Sequence, residues 1–158
     1  MKIYVDADAC PVQEEIIDIC KMYELNGVFI KSISHFSHKE MPELIKTIYV
    51  DHAADAADYK IIQSVTKGDI VVTQDYGLAS LCLSKGCYVL HHKGFQYTNK
   101  NIDSLLAKRH AGAQARRAGF RTKGPKPFTM NERRKFFSSL KQLVQRSIML
   151  KNDGTVES

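Results

Sequence analysis

The chain has 158 residues and a mass of 17.9 kDa, the size of one globular domain. Its 44% hydrophobic and 25% charged content excludes wholesale disorder, and its apolar runs fall far short of the ~20 residues that cross a bilayer. The net charge of +6 is unevenly spread: residues 1–90 hold eight lysines and no arginine against thirteen acids, whereas residues 91–158 hold fifteen Lys and Arg, including all seven arginines, against four acids. That asymmetry predicts an acidic site and a basic surface for a polyanion rather than a uniformly solvated exterior.

Lys2 to Val5 reads as a short apolar strand. Pro11 to about Leu25 follows as an amphipathic helix, with Ile16, Ile17 and Cys20 inward, Asp8 as its cap and Pro11 in its first turn. Gly27 is expected to end the turn before a second strand, Val28–Ile33, and 34–38 is a polar loop containing His35 and His38. Thr47–Val50 is a third strand. An alanine-rich helix then runs to about Val65, with Asp58 inside it, and Gly68 lies just past its end. Ile70–Thr73 has the β-branched character of a strand buried on both faces. Asp75 opens a helix to about Lys85, and Tyr88–Leu90 is a fifth strand.

Strands alternating with helices predict an α/β chain: a single three-layer domain whose mostly parallel sheet of about five strands carries helices on both faces. Beyond Gly94 the expected pieces are a basic helix over 101–118, a Gly/Pro-rich loop over 119–127 and a last amphipathic helix from Asn131 to about Leu150. Residues 1–150 are read as one domain, with an acidic core over 1–94, a basic C-terminal helical extension over 95–150, and a tail over 151–158. An acid at position six interrupts any signal-peptide apolar region. Cys10, Cys20, Cys82 and Cys87 form no Cys-x-x-Cys pair and read as free thiols of a reducing compartment. The expected location is cytoplasmic.

In a parallel sheet, residues just past the strands collect at one edge, where open α/β folds bind ligands. Strand one ends in Asp6-Ala7-Asp8, strand three leads to Asp51 and the Asp55/Asp58 pair, and strand four leads to Thr73-Gln74-Asp75. Any single aspartate opening a helix is an ordinary N-cap. Acids at three strand ends are a constellation, and carboxylates crowded together stay ionised only if a cation neutralises them. Oxygen-only ligands suit Mg²⁺ or Mn²⁺. The loop histidines, including His91 and His92, carry a weaker signal, and Cys10 lacks a partner histidine that would mark a nucleophile. No aromatic cluster argues for stacking on single strands.

Val5-Asp6-Ala7-Asp8-Ala9-Cys10-Pro11-Val12, Ala54-Asp55-Ala56-Ala57-Asp58, and Gly68 through Ala79 with its Thr73-x-Asp75 resemble the YaiI/YqxD family; so do Asn101-Ile102-Asp103 and Thr122-Lys123-Gly124-Pro125-Lys126. That family resembles a divergent branch of the PIN-like superfamily of metal-dependent nucleases. The resemblance implies metal ligation by Asp6, Asp58 and Asp75, with Asp8 and Asp55 as additional ligands. His92-Lys93-Gly94 stands where much of the family has Pro-Arg-Gly, so the positive charge is kept but a bidentate phosphate grip is lost.

The expected activity is hydrolysis of RNA or DNA phosphodiesters with Mg²⁺ or Mn²⁺, through catalytic Asp6, Asp8, Asp58 and Asp75. The nucleic-acid backbone would be held by Lys93, Arg109, Arg116, Arg117, Arg121, Lys123 and Lys126. A non-catalytic nucleic-acid-binding protein is the alternative. A haloacid-dehalogenase-type phosphohydrolase is less favoured, because Cys10 stands where that Asp-x-Asp pattern wants Thr or Val. No membrane partner is expected, and a homodimer is allowed.

Overall fold

A computed structural model describes residues 1–53, 55–119 and 128–152. The elements in chain order are β1 (Lys2–Asp6), α1 (Gln13–Tyr23), β2 (Asn26–Ser32), a 3-10 turn (Ile33–His35), β3 (Ile45–Val50), α2 (Ala56–Ser64), β4 (Ile70–Val72), α3 (Tyr76–Ser84), β5 (Tyr88–Leu90), β6 (Gln96–Tyr97), α4 (Ile102–Arg117) and α5 (Met130–Asn152). The strands form one sheet in the order β3-β2-β1-β4-β5-β6. All pairings are parallel except that of β5 with β6.

The period-2 alternation of the strands sorts the core into two layers. Ile3, Val5, Phe29, Ile70 and Val72 face α1 and α5, meeting Ile16, Ile19, Phe136, Leu140 and Val144. Tyr4, Val28, Ile30, Val71 and Val89 face the opposite way, against Ile61 of α2, Leu78 and Cys82 of α3, and Ile102 of α4. The expected three-layer α/β arrangement is therefore present, with helices on both faces. The two-residue β6 escaped prediction because it is too short to carry a periodic signal. Its Tyr97 is fully buried, and the phenol donates to Thr73 O at 3.3 Å.

Three local expectations need correction. First, α1 begins at Gln13 after Val12, without a side-chain cap. Asp8 is turned to β2 instead, both of its oxygens accepting Ser32 N–H at 3.0 and 2.9 Å. The Gln13 amide bonds the carbonyls of Ala7 and Cys10, tightening the turn that caps would otherwise organise. Second, Gly27 lies within β2. The left-handed residue closing α1 is Glu24, at φ 54°, and Gly27 is demanded by packing, since a Cβ there would sit 2.8 Å from Ile45 Cδ1. Third, Asp58 stands in the first turn of α2, which follows Asp55. An acid there favours the positive end of the helix dipole in addition to anything it binds.

At the amino edge of the sheet, Asp69 is buried and accepts Lys2 N–H, Thr66 N–H and the Thr66 hydroxyl. This aspartate of the Gly68–Ala79 motif is a structural staple far from the carboxyl edge.

Candidate metal and phosphodiester site

The chain runs outward from β1 through β2 to β3 and then crosses back to β4 on the other side of β1. Adjacent strands that lead away in opposite directions leave a crevice at their carboxyl ends. Asp6 closes β1 at that crevice, half-buried, and its carboxylate accepts the Thr73 hydroxyl at 3.2 Å across the β1–β4 pair. Thr73 Oγ1 also accepts Asp75 N–H at 3.0 Å, and Asp75 Oδ1 caps α3 by accepting Leu78 N–H at 3.0 Å. The Thr-x-Asp spacing thus folds into a Ser/Thr-type turn that carries Asp75 back toward Asp6.

A cleft of about 350 Å³ opens here, and among its lining residues are Asp6, Asp8, Asp51, Asp58 and Asp75, with His35 and His52 beside them. Burial pushes the Asp6 carboxyl above its ordinary pKa; the Thr73 hydrogen bond pulls it down, and the carboxylates of Asp75 and Asp8 push it up again. Asp8 pairs with His35 Nδ1 at 2.8 Å. The cleft therefore gathers Asp6, Asp8, Asp58 and Asp75, and it adds Asp51, whose signal as the end of β3 was weaker. Asp55, exposed just before α2, is not among the lining residues.

The donor set is oxygen-rich and matches a hard divalent cation. It is not drawn tight: among the described residues no three His, Cys, Asp or Glu side chains form a ready-made cation site. Two of these acids also serve the fold, Asp8 bonding Ser32 and His35 and Asp75 capping α3. Asp6, Asp8, Asp58 and Asp75 share one cleft all the same.

Beside the cleft lies a second, open pocket of about 490 Å³, whose walls include Asp8, Cys10, Gln74, His92, Lys93 and Phe128. Lys93 is exposed there. Burial above all pushes the Cys10 thiol up to about 12, which disfavours the thiolate a nucleophile would need. His91 is buried, and its Nδ1 accepts Lys93 N–H at 3.0 Å, so the neutral ring carries its proton on Nε2. Burial first, then the neighbouring His92 and Lys93, lowers its pKa to about 3.

Of the other expected cations, Arg117 is exposed at the end of α4 and lines neither cavity. Arg121, Lys123 and Lys126 lie outside the described residues, as do the side chains of Arg109 and Arg116. Missed from sequence were the aromatic groupings. Phe36 packs against His38 and Tyr49, and His91, His92, Phe95 and Phe128 form a connected series of rings. Each joins neighbours of one loop, Phe36 with His38 or His91 with His92 and Phe95, to a distant residue, Tyr49 of β3 or Phe128 before α5, and no spacing along the chain announces that partner.

A doubly wound sheet with an acidic crevice at its switch point defines the class of protein. Within that class, the chain belongs to the family described as "Uncharacterized BCR, YaiI/YqxD family", whose model matches residues 4–146. It is 56% identical over 144 residues to a UPF0178 protein of Bacillus cereus, covering 91% of this chain and 99% of that one. A UPF0178 protein of Bacillus thuringiensis subsp. konkukian is similar to the same extent, 56% over 144 residues with the same coverage of 91% and 99%. One from Bacillus anthracis is 55% identical over 144 residues, with coverage of 91% and 99%. No solved structure matches the chain. No helix among the described residues is long and apolar enough to cross a membrane.

Proposed function

We propose that this protein is a divalent-metal-dependent phosphodiesterase acting on RNA or DNA, of the PIN-like kind. The observation that carries the reading is the single cleft shared by Asp6, Asp8, Asp58 and Asp75, supplied by the ends of three different strand–helix connections. Capping and helix-dipole effects account for Asp75 and Asp58 singly, but not for their meeting with the half-buried Asp6. A raised carboxyl pKa at Asp6, caused first by burial and then by neighbouring carboxylates, is the electrostatic signature of a site that favours added positive charge.

Asp6, Asp58 and Asp75 would hold Mg²⁺ or Mn²⁺, with Asp8 at their side and Asp55 farther out. A bound cation of this kind supplies Lewis acidity toward a phosphodiester oxygen and toward water. Thr73 keeps Asp6 and Asp75 in register by bonding both. His35 orients Asp8 from the cleft wall. Lys93, with the arginines and lysines of the C-terminal third, would hold the backbone phosphates without reading sequence.

The test combines cleavage with melting. Labelled RNA and DNA oligonucleotides are incubated with the protein and Mg²⁺ or Mn²⁺, and Asp6→Asn is expected to abolish any metal-dependent product. In the metal-free protein Asp6→Asn should melt higher than the parent at neutral pH. A folded-state pKa raised above the unfolded one makes stability fall as pH rises through it, and a neutral amide escapes that loss. The parent should gain more from added metal than the variant, because the ion binds the native state. Equal gains in both proteins, or no cleavage of any oligonucleotide with either metal, defeat the reading.

A further inference from the structure

The pocket beside the acidic cleft has the composition of a receptor for a flat ring next to an anion. Three of the residues that line it carry aromatic rings, His91, His92 and Phe128. Phe95 stacks on His91 with centroids 4.5 Å apart, His92 lies 4.3 Å beyond, and Phe128 meets His92 edge-on at 5.5 Å and 70°. Of these four rings His91 is buried and Phe95, His92 and Phe128 are half-exposed; His91, His92 and Phe128 line the pocket.

Phe128 is itself held. The Arg133 guanidinium lies 5.2 Å over its ring. The same guanidinium is anchored through Nη1, which donates to Pro11 O at 2.6 Å and to Glu15 Oε1 at 3.3 Å. A phenyl ring fixed this way loses little freedom when it accepts a stacking partner. Arg133 is a positioning residue here, acting through Phe128.

Polar groups line the pocket as well. Gln74 offers an amide able both to donate and to accept, as the edges of nucleobases require, and exposed Lys93 offers a cation. The pocket and the acidic cleft are contiguous, since Asp8 lines both, and successive residues Gln74 and Asp75 line one each. A volume of about 490 Å³ lies within the roughly 300–1,000 Å³ that receives small ligands.

We infer that this pocket is a subsite for one unpaired nucleobase, stacked on Phe128 with His92 at its edge, of a single-stranded nucleic acid whose adjoining phosphate enters the acidic cleft. The inference rests on the nucleic-acid part of the function proposed above and adds the strandedness of the substrate. Bases inside a duplex are paired and stacked, and they reach a lateral pocket only after being flipped out. Unpaired bases present free faces, and aromatic side chains take them with little regard to sequence.

The experiment measures binding of short labelled single-stranded RNA and DNA, and of duplexes of the same sequences, with Ca²⁺ in place of Mg²⁺ or Mn²⁺, so that a cation is available to the carboxylates while the ions of the proposed hydrolysis are absent. Parent protein is compared with Phe128→Ala and Phe128→Leu, each checked for folding by thermal melting. The parent should bind single strands at least about tenfold more tightly than duplex, and both variants should lose about that factor on single strands only. An abasic position scanned along the single strand should cost the parent the same factor at one register and leave the variants unaffected. If neither variant folds, the scan on the parent alone decides. Equal affinity for single strand and duplex, an abasic scan without effect, or no oligonucleotide binding overturns the subsite. A parent that shows the abasic effect but no cleavage with Mg²⁺ or Mn²⁺ keeps the subsite and loses the hydrolytic reading. Cleavage without single-strand preference does the reverse.

Discussion

The chemistry of His91 is strongly altered by its surroundings. The ring is 7% exposed, accepts Lys93 N–H and stacks on Phe95, and its pKa falls to about 3. An unfolded histidine takes a proton near pH 6.5, whereas the folded one does not until far lower pH. Stability from this group is therefore complete above about pH 6.5 and falls as pH drops toward 3, by on the order of 1 kcal/mol per pH unit. His91→Asn retains an acceptor and removes the titration, so its unfolding free energy should fall less between pH 7 and pH 5 than the parent's. The neighbouring His92, lowered by burial and by Lys93, keeps a smaller dependence of the same sign in both proteins. Parallel curves from denaturant titrations at the two pH values would disprove the assignment.

At the scale of elements, the turn between β5 and β6 and the long α5 depend on each other. Gly94 closes the turn by donating to His91 O, at φ +94°, and lies so close to α5 that a Cβ would stand 3.0 Å from the Lys135 carbonyl carbon. Gly68 has a similar φ of +90° with nothing near the same position. Gly68→Ala carries only the left-handed backbone cost, about 1–2 kcal/mol. Gly94→Ala adds displacement of helix backbone and should lose clearly more, about 3 kcal/mol in denaturant unfolding. Equal losses would mean that α5 yields freely to the turn. Because Lys93 and His92 precede Gly94 in the pocket wall, this contact also sets where the pocket stands relative to Phe128.

For the molecule as a whole, the division of charge is a functional claim. On the proposed reading, the acidic crevice would take a cation and the fifteen Lys and Arg of residues 91–158 would attract the polyanion. Nucleic-acid affinity should fall with salt at a log–log slope of about −0.7 to −0.9 per phosphate neutralised. Replacing Arg116, Arg117 and Lys123 together by alanine should flatten that slope and leave the melting temperature near the parent's. A slope unchanged by the triple variant would reduce those charges to solvated surface.

The alternation of short β-branched strands with amphipathic helices was enough to read an α/β chain with a mostly parallel sheet, because burial on both faces requires those patterns locally. Acids at the ends of β1 and β4 were legible for the same reason: every parallel strand sends its carboxyl end to one edge. The strand order was not legible, and it alone decides that β1 and β4 are neighbours, so that Thr73 reaches Asp6. Nor does local sequence tell a cap from a strand-end clamp. Asp8 stands near enough to α1 to cap it, yet it bonds Ser32, twenty-four residues away, because β2 lies beside β1. The pocket walled by His92 and Phe128 belongs wholly to tertiary structure, since packing of α5 against α1 brings Phe128 beside the turn after β5. Sequence determines what each segment can form through interactions a few residues long. Which segments share a cleft is decided by packing between residues far apart in the chain.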